Sequence, residues 1–398
     1  MKRSLILILT FVFIDVLGFS LILPLLPYYA AEFQASSFMV GLLLSSNAIT
    51  QMIGAPILGR LSDRHGRKPL LVTSITGTVL SFLVLGWANS LIMLFISRIL
   101  DGILGGNVSL AQAYITDSTT KENRAQGLGF IGAAFGLGFI FGPALGGILS
   151  AGGNYARPAF AAAGLAALNL IGTIIWLPES LPEEKRTAKA DQPKPEFTFS
   201  ALRNALTRPC VGPLLTVVLV YGLAFTMFET MFSLFAQKKL GLTAQSTSFV
   251  LTYVGVLVVI IQGGGIKFLS DRFGDKNLIF GGSILLTAGL LGWAFSPNVP
   301  ILLIALLPLS LASGMLRVSN NSALTKSVAD TEVGGILGLS SSMNSFTRVI
   351  SPLIGSFLLG SISPAAPGVV GALLMVGVAL FTWFRILSVP DQECVTDL

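Results

Sequence analysis

Residues 61–68 read LSDRHGRK, and residues 269–276 read LSDRFGDK. The octets stand 208 positions apart, and each follows a long apolar run. A second echo keeps nearly the same offset: FGPALGG at 141–147 returns as ISPLIGS at 350–356, 209 positions on. Two echoes at one offset mark a chain built as two copies of one plan.

The runs between the echoes are hydrocarbon-like. Of 398 residues, 53% are hydrophobic and 11% charged, whereas a typical soluble domain is about 25% charged. Mean hydropathy is +0.80. A bilayer core takes about 20 apolar residues per helix, and only helices or closed barrels satisfy their backbone there. The runs are continuous rather than alternating, which predicts an all-α membrane protein. Twelve spans are expected, near 4–30, 38–58, 69–88, 91–114, 126–150, 158–178, 211–236, 246–267, 277–296, 299–325, 335–360 and 366–387. Residues 178–209, PESLPEEKRTAKADQPKPEFTFSALRNALTRP, are rich in proline and charge and read as a flexible linker. The expected organisation is a six-helix bundle over 1–178, a cytoplasmic linker over 179–210 and a second six-helix bundle over 211–398.

The net charge of +6 is a matter of topology, not of a nucleic-acid partner. With the N-terminus inside, 19 of the 25 Lys and Arg fall on the cytoplasmic side. Three lie outside (Arg157, Lys238, Lys239) and three within spans (Arg98, Arg317, Arg348). That bias sets both termini in the cytoplasm. Cys210 and Cys394 both fall on that side, where a disulfide is not expected. The single histidine, His65, sits in a short loop, and no residue set has metal-ligand spacing. No G-x-x-x-x-G-K-[ST] phosphate loop occurs, so ATP is not the expected driver. No nucleophile–base–acid set suggests an enzyme, and no cofactor is implied. Duplicated spans are the usual build of secondary transporters, with the site near the midplane.

Three short motifs carry chemistry. GRLSDRHGRKP (59–69) joins a glycine turn at Gly66 to a cluster of both charge signs, in which Asp63 can pair with arginine. GFIFGPALGG (138–147) spaces Gly138, Gly142 and Gly146 four apart, so a neighbouring helix can approach closely, with Pro143 to bend the helix and Gly147 beside it. RILDG (98–102) puts Arg98 and Asp101 on one helix face in a predicted span. Charges at that depth pair, face water or serve function.

The first motif, the twelve spans, the charged linker and the second octet together resemble the major facilitator superfamily over the whole chain. That resemblance implies a conformational latch at Gly59, Asp63, Arg64, Gly66 and Arg67, joined by Asp117 and Arg124. It carries to Asp271 and Arg272 in the second copy, where Lys267 replaces the glycine and predicts a weaker latch. GFIFGPALGG resembles the antiporter signature of drug:proton exporters, and the span-four arginine resembles one tied to proton coupling. DVLGFSLILPLLP, TQMIGAPILGRLSDRHGRKP, AYITDSTTKENRAQGLGFIGAAFGLGFIFGPALGG and LPES resemble tetracycline-resistance efflux pumps. By that likeness Asp15 is a substrate- or proton-linked carboxylate and Asp117 a switch acid. Those pumps carry His and Asp in spans eight and nine; this chain has neither there, so recognition of a metal–tetracycline chelate is not implied.

Asp15 lies near the middle of span one, and an acid there cannot face lipid cheaply. With Arg98 and Asp101 it is expected to share one small volume: two acids and one cation, a set suited to exchanging a proton. Glu229, in span seven, is the second half's candidate acid. Helical spacing suggests further cavity positions: Asn47 and Gln51; Gly105, Ser109 and Gln112; Tyr221, Phe225 and Phe228; Arg317, Asn320 and Asn321; Asn344 and Arg348. The expected function is proton-driven export of lipophilic or amphipathic molecules by a monomer in a bacterial inner membrane. Uptake of a small metabolite by proton symport is the alternative.

Overall fold

The computed structural model describes residues 3–182, 186, 199–261, 265–329 and 331–388. Among them every regular element is helical. The chain forms α1 (Arg3–Ile22), α2 (Leu26–Glu32), α3 (Ser37–His65), α4 (Arg67–Gly86), α5 (Leu91–Leu104), α6 (Asn107–Ser118), α7 (Lys121–Leu149) and α8 (Ala156–Trp176). There follow α9 (Phe199–Thr207), α10 (Val211–Leu240), α11 (Ala244–Ile260), α12 (Ile266–Phe273), α13 (Asp275–Phe295), α14 (Val299–Lys326), α15 (Val333–Ser361) and α16 (Ala366–Thr382).

Two predicted spans are each broken in two. The first ends at Ile22 and restarts at Leu26, because Pro24 and Pro27 remove backbone donors and forbid a continuous helix. The fourth breaks at Gly105–Gly106, between α5 and α6. There Ser74 of α4 donates to Leu104 O and accepts from Gly106 N at 3.0 Å. That hydroxyl bonds two of the backbone groups at the break, as non-helical backbone at membrane depth requires. Part of the predicted linker is ordered, with Phe199–Thr207 forming α9.

Among the described residues, ten helical stretches are long and apolar enough to cross a membrane, with α5 and α6 together, Leu91–Ser118, making one of them. Of the other predicted spans, the eighth appears as α11, which is 17 residues long. The eleventh is α15, 29 residues long, whose hydropathy is diluted by Ser340, Ser341, Ser342, Asn344, Ser345 and Arg348.

The chain divides into two compact units: Met1–Pro193 with Gly241–Gly255, and Lys194–Leu240 with Val256–Leu398. In the first, α1 packs on α7 and α8, and α4 on α5 and α8. In the second, α10 packs on α15 and α16, and α13 on α14 and α16. The same four helix pairings recur, as a duplicated sequence demands. Arg208, just before α10, forks onto Glu332 at the start of α15 with bonds of 2.8 and 2.9 Å, holding that carboxyl below its usual range. Cys210 is disulfide-bonded, a correction to the reduced state expected of it. The expectation came from redox compartment, which carries no information on which thiols the fold brings together.

Candidate functional site

The first unit holds a polar cluster inside its apolar core. Asp15, midway along α1, accepts a 2.5 Å bond from Asn107 Nδ2, which also donates to Thr78 Oγ1 at 3.1 Å. Asn107 is the first residue of α6, so the glycine break is what aims it at α1. Arg98 is 3% exposed. Its Nη2 donates to Ser97 and Ser81 at 3.0 and 3.3 Å, and its Nη1 stands 3.6 Å from Asp101 Oδ2. Its guanidinium lies 5.7 Å over the Phe82 ring, a favourable cation–π placement. Asn47 donates to both Arg98 O and Asp101 Oδ2, at 3.1 and 3.0 Å, and Gln51 reaches Gly105 O at 3.0 Å. Gly102 permits this: a Cβ there would fall 1.9 Å from Thr50 Oγ1.

Asp15, through Asn107, and Arg98, beside Asp101, are tied into one cluster by the α4 hydroxyls Thr78 and Ser81. Asn47 and Gln51 hold its helices together. Gln112 and Ser109 are exposed along α6. Sequence reasoning missed Asn107 and a hydroxyl stripe on α4: Ser74, Thr78 and Ser81, which serve the helix break, Asn107 and Arg98 in turn. Their spacing of four and three was the available signal, since it places them on one helix face.

In the second unit Tyr221 donates to Ser313 O at 3.3 Å and stacks on Phe225 at 5.7 Å. Phe228, expected beside them, is 2% exposed and packs edge-on to Trp293 at 5.0 Å; it is a core residue. Asn320 is buried too and donates to Leu214 O, tying α14 to α10. Arg317, Asn321, Asn344 and Arg348 are exposed. Glu229 is half-buried and makes no ion pair or hydrogen bond among the described residues.

The turn between α3 and α4 is a closed electrostatic knot. Arg67, 5% exposed, meets Asp63 at 2.6 Å and Asp117 at 2.8 Å, and its Nη1 donates to Ser62. Gly66 takes φ 102°, and a Cβ there would strike the Glu179 carboxylate. Glu179, in the LPES stretch, accepts from the backbone of Arg67 and Lys68 at 2.9 and 3.2 Å and so caps α4; its role was not read from the sequence. Gly59 has open space around it, and Arg64 is exposed, with no ion pair or hydrogen bond among the described residues. The Arg124 side chain, like that of Lys267, lies outside the described residues.

The second octet forms a different knot from the one expected. Asp271 and Arg272 are exposed, and Asp271 makes no ion pair among the described residues. Instead Asp275 accepts from Ser270 at 2.8 Å, Ser322 at 2.7 Å and Lys326 at 2.7 Å. At offsets of 208 and 209, Ser62, Arg67 and Asp117 correspond to Ser270, Asp275 and Lys326. The ion pair is kept with its signs exchanged. With an acid at 275, Asp271 stands four residues from a like charge rather than from an arginine.

The glycine motif on α7 works by contact. A Cβ at Gly138, Gly142 or Gly146 would fall 2.7, 1.9 or 2.4 Å from Val16, Ser20 or Leu21 of α1, and Ser20 bonds Gly138 O at 2.7 Å. Gly147 faces Gln245 and Ser248 of the Gly241–Gly255 stretch, which Tyr28 also grips through Thr247 at 2.5 Å. Gly146→Ala, driven into the Leu21 carbonyl, is expected to cost about 1–3 kcal/mol by overpacking. Gly132→Ala, in open space on the same helix, is expected to be neutral or stabilising by up to ~1 kcal/mol. Thermal denaturation of the two purified variants checks the opposed signs.

Two helical units that repeat one set of pairings, with charges held inside an apolar core, define a membrane transporter rather than an enzyme. The chain belongs to the Major Facilitator Superfamily, whose family model matches residues 8–267 and 265–397. It is 33% identical over 362 residues to the class H tetracycline resistance protein of Pasteurella multocida, covering 90% of this chain and 89% of that one. It is 29% identical over 360 residues to multidrug resistance protein 2 of Bacillus subtilis, again covering 90% and 89%. Among solved structures, the nucleoside transporter NupG superposes with a TM-score of 0.79 at 14% identity, covering 98% of this chain and 100% of that one. The human organic anion transporter MFSD10 gives 0.69 at 22% identity, over 96% and 99%.

Proposed function

We propose that this transporter exports lipophilic or amphipathic small molecules across a bacterial inner membrane by alternating access, in exchange for protons. The observation that carries the reading is the charged set in the first unit, half-buried Asp15 on Asn107 and buried Asp101 on Arg98. Two carboxylates and one guanidinium at membrane depth cannot all be charged and paired at once. A proton arriving on either acid changes which partner holds Arg98 and Asn107, and so changes the packing of α1, α4, α5 and α6. Because the acids interact, the proton belongs to the pair rather than to one residue. Kinship with tetracycline and multidrug resistance proteins supports export and an amphipathic cargo. The proton gradient is the driver and the protein acts as a monomer without a cofactor.

The test uses proteoliposomes loaded with a pH dye. A proton gradient is imposed, and tetracyclines and lipophilic cations are added in turn. Substrate-triggered proton flux is expected in the natural protein and is expected to vanish in Asp15→Asn. Flux in the direction of the substrate would mean symport. Flux undiminished in Asp15→Asn would remove Asp15 from the coupling path.

A further inference from the structure

In the second unit, polar side chains line up on the exposed faces of two adjoining helices. Arg317 and Asn321 are one turn apart on α14, and Asn344 and Arg348 one turn apart on α15, all four exposed. Both helices pack on α10 and touch each other. Residues 221–222 of α10 stand between the two pairs: Tyr221 bonds Ser313, one turn before Arg317, while Gly222 abuts Asn344 and Thr347. Depth makes the pairs unusual. Arg348 is midway along the 29 residues of α15, and Arg317 lies two-thirds along α14. Neither arginine has an ion pair or hydrogen bond among the described residues. Glu229, the acid on α10, lies about 12 Å along that helix from Tyr221 and pairs with neither arginine.

Exposed guanidinium groups at membrane depth face water, not lipid. Each offers five N–H donors and no acceptor, in a planar fork that matches a carboxylate. The two amides add more donors. We propose that the exported molecule carries an anionic group, carboxylate or enolate, and that Arg317 and Arg348 hold it. This inference rests on the export reading above and names the charge of its cargo. Asn321 and Asn344 supply the flanking hydrogen bonds, and the apolar body of the cargo lies against Tyr221 and Phe225, which are half-exposed beside the pairs.

The probes are a rhodamine dye with a free carboxylate and its methyl ester, which differ in that charge and one methyl group. Binding to the purified protein in nanodiscs is followed by fluorescence anisotropy. The free acid is expected to bind at least about tenfold tighter than the ester, the scale of one charge-assisted hydrogen bond. Arg317→Gln and Arg348→Gln are each expected to erase most of that preference, and an unchanged Tm in nanodiscs shows that the variants are folded. Equal binding of acid and ester, or a preference that survives both substitutions, overturns the inference. If the ester alone binds and still drives proton flux in liposomes, export stands and the anionic cargo falls. If neither dye, no tetracycline and no lipophilic cation binds, both readings fall together.

Discussion

Arg67→Ala is expected to lower the Tm of the purified protein sharply and to abolish transport, whereas Arg64→Ala, three residues earlier, should do neither. Arg67 is 5% exposed and is the guanidinium shared by Asp63 and Asp117, themselves 9% and 11% exposed at their side chains. Removing it strips two largely buried carboxylates of the guanidinium they share, and breaking such a set costs about 3–5 kcal/mol. Arg64 is exposed, with no ion pair or hydrogen bond among the described residues, and surface changes of that kind stay within about 0.5 kcal/mol. Arg67→Lys should rescue only part of the loss. A lysine keeps the charge but offers one point of attachment, while the native fork reaches Asp63 through Nη2, Asp117 through Nε and Ser62 through Nη1. Thermal unfolding followed by intrinsic fluorescence decides it; equal shifts for Arg64→Ala and Arg67→Ala would show that the knot does not hold the turn.

The duplication was readable because identity survives in LSDR and in the glycine spacing. What it means physically was read correctly in one half and not in the other. The first octet holds Asp63 and Arg67 at helical spacing, so their pairing followed from sequence. The second octet repeats LSDR, and identity drew the eye to Asp271 and Arg272, yet the bonds run through Asp275 and Lys326. A sequence echo rewards like residues, while an ion pair conserves only opposite charge. The signal was present as an inversion: arginine opposite acid in one copy, acid opposite lysine in the other.

The polar cluster divides in the same way. Charges inside apolar runs announce themselves, and Asp15, Arg98 and Asp101 were all found by that rule. Asn107 was not, because its direction depends on the Gly105–Gly106 break, and a hydropathy pattern that continues across the break gives no sign of a change in direction. The aromatic stripe on α10 has one period, but tertiary packing splits it. Trwo faces of one helix are distinguished only by their neighbours: Trp293 covers Phe228 and Phe235, and nothing in the spacing of residues 221–228 predicts which ring it covers.

Asp101→Ala is expected to destabilise the first unit by about 3–5 kcal/mol, and a second substitution at Arg98 to restore what the first removes. The single change strips the carboxylate from a guanidinium that is 3% exposed and keeps, among the described residues, only the Ser81 and Ser97 hydroxyls and the Phe82 ring as side-chain partners. An uncompensated buried charge is the costly state, while a pair replaced together by apolar residues of similar volume is often neutral or even stabilising. Arg98→Met with Asp101→Leu should therefore unfold at or above the temperature of the natural protein. Asn47 would keep its bond to Arg98 O, which is backbone. Transport should nonetheless be lost in the double variant, because the cluster no longer holds a cation that changes partners when an acid takes up a proton. Stability recovered without flux would separate the pair's structural part from its coupling part. A double variant that both folds and exchanges protons would leave Asp15 and Asn107 as the whole coupling device, with Arg98 and Asp101 reduced to a neutral plug between α3, α4 and α5.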